Sequence, residues 1–402
     1  MKLSRRFMLS ALGFAVVTPL TAKASKIDDL QREIDKAIEG DGVLRLGPGE
    51  YEATGLRVTR TFRIEGVPGR TVLKGSLIIE AAGDVQLAGL SFTGEGALVT
   101  ATGARRIAID NCQFIGGERG LVLERCSGAV RDCAFRDHTD AAIFAMDSAG
   151  LEISGNTITD IGANGIMVWT SDKREDGTLI SNNRISRIAA RPGDTGQTGN
   201  GISVFRAGNV TITANRISDC AFSAIRNNGG DNCVMTGNST SRLGETALYC
   251  EFAFEGAVIA NNIVEGAGNG ISITNFDVGG RLATCTGNVV RRCNGFGIFA
   301  EAQTVISANA VESAVETGIA LGWSFASKTL TASNNIVAGC GRGITFSVAE
   351  GAEPPMIVNN RITGSRHEAI AAMNHAEVAS GDLTIPGAAV PAGAVISGNM
   401  TS

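Results

Sequence analysis

A right-handed parallel β-helix, one all-β solenoid with a capping α-helix at its N-terminal end, is the fold that the sequence predicts. Three observations predict it. An Asn-centred pattern recurs along most of the chain, Gly is abundant at 52 residues against 16 Phe, 2 Trp and 2 Tyr, and no helical period separates the repeats. A chain of 402 residues buries a large core, and in a repeat array added length supplies turns rather than further cores.

Residues 1–24 have the layout of an export signal. Lys2, Arg5 and Arg6 open it, an apolar run extends from Ala11 to Leu20, and Ala22-Lys23-Ala24 before Ser25 is a small-x-small cleavage site. The stretch Ser4-Arg5-Arg6-Phe7-Met8-Leu9 resembles the twin-arginine motif, with Met8 where that motif usually has Phe. Twin-arginine export carries a protein that has already folded, and an ordinary secretory signal with two chance arginines is the other reading. The run is too short to persist as a spanning helix, and no later segment has 18 uninterrupted apolar residues, so stable membrane insertion is not expected. The expected location is the periplasm or the exterior of a bacterial cell, with the twin-arginine export machinery as a partner. Removing the four basic residues of the leader moves the formal net charge from -5 to -9, which argues against nucleic acid and anionic membranes, since both require a basic face.

The mature chain, 25–402, reads as one domain. Within it, 25–42 is the cap, 43–104 a set of first, irregular rungs, and 105–402 the Asn-anchored repeats. In the cap, Ile27, Leu30, Ile34, Ala37 and Ile38 fall on one helical face, Asp28 or Asp29 is the N-cap, and Gly40 to Gly42 end the helix. Such a helix covers the open end of the first rung. The repeat then marks an Asn position at Asn111, Asp132, Asn156, Asn183, Asn215, Asn238, Asn262, Asn288, Asn309, Asn335, Asn360 and Asn399. A second anchor, a small residue followed by Ile or Leu, lies 9 to 11 residues later in every repeat but one. The exception runs from Asn183 to Ile202, where residues 191–199 are inserted. Two short strands per repeat with Gly and Asn at the turns describe a rung, and the asparagines read as structural, bonding backbone and the Asn of the next rung.

This combination of leader, cap helix, Gly47-Pro48-Gly49-Glu50-Tyr51 turn and rungs resembles the pectin-lyase-like superfamily. More closely, it resembles the uncharacterised family of twin-arginine-translocated repeat proteins. The resemblance spans nearly the whole chain and implies a parallel β-helix; it leaves activity open, because the superfamily includes lyases, hydrolases, epimerases and inactive binding proteins. The nine cysteines read as small apolar residues stacked in the core, with a bond between Cys112 and Cys133 as the alternative. No cysteine pair has zinc-site spacing and His138, His367 and His375 lie in different contexts, so neither metal nor other cofactor is expected.

If the second anchor points inward, the first and third residues after it point outward and stack into a stripe. That stripe holds Phe144 and Met146, Met167 and Trp169, Ser203 and Phe205, Arg226 and Asn228, Tyr249 and Glu251, Ser272 and Thr274, and Phe299 and Glu301. Aromatic faces beside Arg and Glu suit a sugar chain, whose rings pack on aromatics while hydroxyls and carboxylates take directional bonds. The candidate binding residues are Met167, Trp169, Lys173, Phe205, Arg206, Phe299 and Glu301. Arg226, Tyr249 and Glu251 on neighbouring rungs have the groups to neutralise a uronate carboxylate, abstract its C5 proton and protonate a leaving oxygen, as lyases and C5-epimerases require. The competing readings are a surface salt bridge beside a tyrosine, and loops that bury the aromatics as a satellite core. Asp137-His138-Thr139-Asp140 faintly resembles the Asp-Pro-His motif of mannuronan epimerases without its Pro, and is read as a polar turn.

The sequence therefore predicts an exported β-helix protein that binds a polysaccharide or cell-envelope glycan. Modification of a uronate-containing chain by lyase or C5-epimerase chemistry is the enzymatic version, and non-catalytic glycan binding or a structural role is the alternative.

Overall fold

The computed structural model describes residues 27–274, 280–301 and 303–402; the leader, 1–24, lies outside them. Three sheets of fifteen strands each run along the described chain, every third strand joining the same sheet as far as Ile370–Asn374; all pairings are parallel except the last of the third sheet, where Glu377–Val378 turns back antiparallel on Ile370–Asn374. The rungs before residue 105 lack the Asn signature but stack regularly, Val43–Arg45, Gly49–Glu52 and Leu56–Val58 pairing with Phe62–Glu65, Thr71–Lys74 and Leu77–Glu80. Each turn thus has three strands where the pattern indicates two. The reason lies just before the Asn, where a residue in the left-handed region, such as Gly155 (φ 69°), Asn182 (φ 55°) or Gly237 (φ 66°), bends one apparent strand into two.

The asparagines form the ladder that the repeat implies. Asn156 Nδ2 donates to Asn183 Oδ1 at 3.0 Å, Asn183 to Asn215 at 2.9 Å, and the chain of bonds continues through Asn360 to Asn399. Two anchors are corrected. Asn111 and Asp132 occupy the left-handed position (φ 52° each), and the ladder places belong to the next residues, Cys112 and Cys133. Cys133 N donates to Asn156 Oδ1 at 3.0 Å, and Cys112 N to Cys133 Sγ at 3.4 Å, so a thiol column continues the amide column.

One continuous core extends from Leu30 to Leu383. The second anchors Ile143, Ile166, Ile202, Ile225, Leu248 and Ile271 are each 0 % exposed. All nine cysteines are free and buried. His138 is also inside, in a column with Ile161, Ile188, Cys220 and Leu243, rather than in a polar turn. The cap helix is described over Ile27–Glu39, which places Asp28 and Asp29 within its first turn instead of at the N-cap. Leu30 and Ile34 close the core, while Gln31 exchanges two hydrogen bonds with the backbone of Arg57, occupying the free edge of the first rung as a strand would. No helix among the described residues is long and apolar enough to cross a membrane.

Candidate functional site

The third sheet carries the outward stripe in the register that alternation predicts. Phe144, Met167, Ser203, Arg226, Tyr249, Ser272 and Phe299 form one column, and Met146, Trp169, Phe205, Asn228 and Glu251 form its neighbour. The aromatic members touch. Trp169 meets Phe144 edge-on with ring centres 5.8 Å apart and Phe205 at 5.6 Å, and its Nε1 donates to Ser203 Oγ at 3.2 Å. Guanidinium groups flank the row, Arg119 above Phe144 and Arg206 above Phe205, each 4.8 Å from the ring centre.

Two irregular segments wall this surface. The insertion between Asn183 and Ile202 folds back over one edge of the sheet. Arg191 Nη2 reaches Asp140 Oδ1 at 2.6 Å, Asn200 Nδ2 donates to Gly196 O at 3.0 Å, and Arg226 Nη1 donates to the same carbonyl. Asp140, 4 % exposed, is clasped on its other oxygen by Arg119 Nε at 2.5 Å. On the opposite side the strand Asn164–Glu175 overruns its rung, with a register shift between Trp169 and Arg174. There Lys173 Nζ pairs with Asp231 at 2.7 Å and donates to Ala253 O, and Arg206 Nη1 donates to Ser171 O at 2.9 Å. Between these walls opens a cleft of about 330 Å³ bounded by Trp169, Gln197, Phe205, Arg226, Asn228 and Phe252. The loops border the aromatics and leave Trp169 and Phe205 half-buried.

The charged centre lies at one end of the cleft. Arg226 Nε donates to Glu251 Oε1 at 2.5 Å and Asn228 Nδ2 to the same oxygen at 3.0 Å; the side chains of Arg226 and Glu251 are 13 % and 3 % exposed. The Arg226 guanidinium stands 5.7 Å from the Tyr249 ring centre, and burial, with help from the nearby carboxylates, pushes the Tyr249 hydroxyl up to about 12. Glu245 joins this group, although the sequence reading missed it. It sits in the turn before its strand, where alternation gives no signal. Its Oε2 is buried without a hydrogen-bond partner, and burial raises its proton affinity against the pull of Arg226.

The remaining candidates divide. Lys173 and Arg206 are in the wall, and Met167 lies in the floor, 5 % exposed. Phe299 (8 % exposed) and Glu301 (1 %) belong to a different part of the sheet, where Glu301 Oε1 accepts from Trp323 N at 3.1 Å. Among the described residues no three of His, Cys, Asp and Glu gather as metal ligands. Burial pushes the thiols of Cys220, Cys250, Cys285 and Cys293 up to about 12, so they hold their protons at neutral pH.

Comparison with known proteins agrees with the solenoid. A family model described as right handed beta helix region matches residues 173–328. The catalytic unit of a thermostable GH87 α-1,3-glucanase from Streptomyces thermodiastaticus strain HF3-3 is 14% identical, over 98% of this chain and 70% of its own, with a TM-score of 0.53. PfbA, a surface adhesin of Streptococcus pneumoniae, is 13% identical over 88% of this chain and 90% of its own, with a TM-score of 0.51. At these identities the likeness is one of fold. No curated protein matches the chain. A second family model, described as periplasmic copper-binding protein (NosD), matches residues 34–239, just over half of the chain, and to that family the chain belongs.

Proposed function

We propose that the protein binds an extended polysaccharide along its third sheet, outside the cytoplasmic membrane. The observation that carries this is the contiguous row of Phe144, Trp169 and Phe205, flanked by Arg119 and Arg206 and opening into the cleft at Arg226 and Asn228. Stacked sugar rings need flat apolar faces with hydrogen-bonding groups at their rims, and this surface offers both. The glucanase and the adhesin show that the same fold serves a polysaccharide-acting enzyme and a surface protein.

Binding without turnover is the form that the geometry supports best. Arg226 is already engaged with Glu251 and the Gly196 carbonyl, so a uronate carboxylate would have to displace a buried ion pair to reach it. The second reading, a lyase or C5-epimerase using Arg226, Tyr249 and Glu251, is favoured by Glu245, a buried carboxyl beside that guanidinium whose raised proton affinity suits an acid. The family description names copper, and the residues present do not fit that ion. The cysteines are buried core residues; Glu316, His367, Met373 and His375 line one cavity, but among the described residues no three of His, Cys, Asp and Glu gather there or elsewhere closely enough to hold a metal ion, and His375 Nδ1 is 3.1 Å from Asn374 Oδ1.

Calorimetric titration with pectate, alginate, α-1,3-glucan and envelope glycans tests the proposal. At least one polymer should bind, and Trp169→Ala should weaken it by about 1–3 kcal/mol. Failure of the whole panel, with Trp169 emission unchanged, would remove the glycan reading. An unsaturated product by ultraviolet absorbance, or an altered C5 configuration in proton spectra, would establish the enzymatic version. The leader, and with it membership of the twin-arginine-translocated repeat proteins, is tested by replacing Arg5 and Arg6 with Lys: mature protein should then fail to leave the cytoplasm, and unimpaired export would refute that route.

A further inference from the structure

We infer that a second cavity on the same sheet holds a later segment of the same polysaccharide, so that the protein recognises a run of about six sugar rings or more rather than a chain end. The inference rests on the glycan reading above. The cavity has a volume of about 300 Å³ and is bounded by Phe299, Glu316, Trp323, Arg342, His367 and His375. Its features repeat those of the first cleft. Trp323, 37 % exposed, meets the His375 ring edge-on at 6.1 Å, and its backbone is fixed by the bond to Glu301. Arg342 Nε pairs with Glu368 at 2.7 Å, which lowers the local charge and leaves the exposed Glu316 carboxylate as a rim acceptor for hydroxyls. An exposed indole with polar groups around its edge is the surface on which a pyranose stacks.

The chain has only two tryptophans, and each lines one of these two cavities. Counting along the paired strands, the column from Trp169 passes Phe205, Asn228 and Glu251 and takes three further turns to the rung that precedes Trp323. Six steps at about 4.8 Å separate the indoles by about 29 Å, close to the length of six rings, since a pyranose is about as long as one strand spacing. Between them Glu251, Thr274 and Glu301 are 2 %, 1 % and 1 % exposed, so a polymer held at both cavities passes above those rungs rather than into them. Two contacts on one ligand make the second binding event intramolecular, which raises affinity without any new interaction at the first site.

The variants Trp169→Phe and Trp323→Phe each leave one emitting indole, and each is titrated with the trimer and the decamer of whichever polymer in the panel binds. The decamer should shift both indoles with a single midpoint and bind at least about tenfold tighter than the trimer. Trp323→Ala should abolish that advantage while trimer binding, read at Trp169, stays unchanged. A decamer that shifts Trp169 alone, or binds no tighter than the trimer, would overturn the inference and leave the first cleft standing. Absence of any response at either indole to every polymer would overturn both.

Discussion

His138 shows how a single buried group sets the response to acid. It is 2 % exposed in an aliphatic column, and burial lowers its pKa to about 4. In the unfolded chain the same imidazole titrates near its ordinary value, so between about pH 6.5 and 4 the unfolded state takes up a proton that the folded state refuses. Stability is therefore lost as pH falls through that window, by about 3 kcal/mol in total. His138→Ile, which copies the neighbouring Ile161 and Ile188, should flatten the change in urea midpoint between pH 7 and 4.5, and an unchanged slope would show that other groups control it. Asn262 is the complementary case of a polar side chain fully satisfied inside. It donates to Asn288 Oδ1 and Met235 O and accepts from the backbone and side chain of Asn238. Asn262→Leu should cost on the order of 3 kcal/mol by leaving these partners unpaired. Asn262→Cys should cost less, since Cys133 fills the same place in the ladder; equal losses in denaturant melts would argue against that equivalence.

At the scale of elements, the cap helix does two separable jobs. Leu30 and Ile34 seal the core, and Gln31 satisfies the free edge of Leu56–Val58. With Leu30→Asp and Ile34→Asp the helix should detach and expose that edge, so size-exclusion chromatography should show concentration-dependent association. A monodisperse monomer would mean that the edge is protected by other means. What the sequence made legible here follows from periodicity. Strand alternation placed Ile143 to Ile271 inward and the aromatic stripe outward because a period of two leaves no third choice. The slip at Asn111 and Asp132 was invisible, since only the left-handed residue tells the bend from the ladder. Glu245 stands in a turn, outside any period. The cavity at Trp323 joins it to His367 and His375, residues far apart in sequence that stacking turns bring to one face.

For the molecule as a whole, the shared core makes each rung depend on its neighbours. Ile271 is 0 % exposed near the middle of the stack, and Ile271→Asp buries a charge there, which should cost several kcal/mol. Calorimetry should show the wild type melting in one transition and the variant far lower or as two separate halves; an unshifted single transition would contradict one continuous stack. The in-register columns have one more consequence. Because every turn enters the ladder at the same place and leaves it at the same place, the protein is an internal ruler graduated in strand spacings. Lengthening a corner loop reshapes a wall and leaves the graduation untouched, whereas gaining or losing a whole turn moves two surface features apart or together by one increment. Distances along this face can therefore change by descent only in discrete steps, each about the length of a sugar ring.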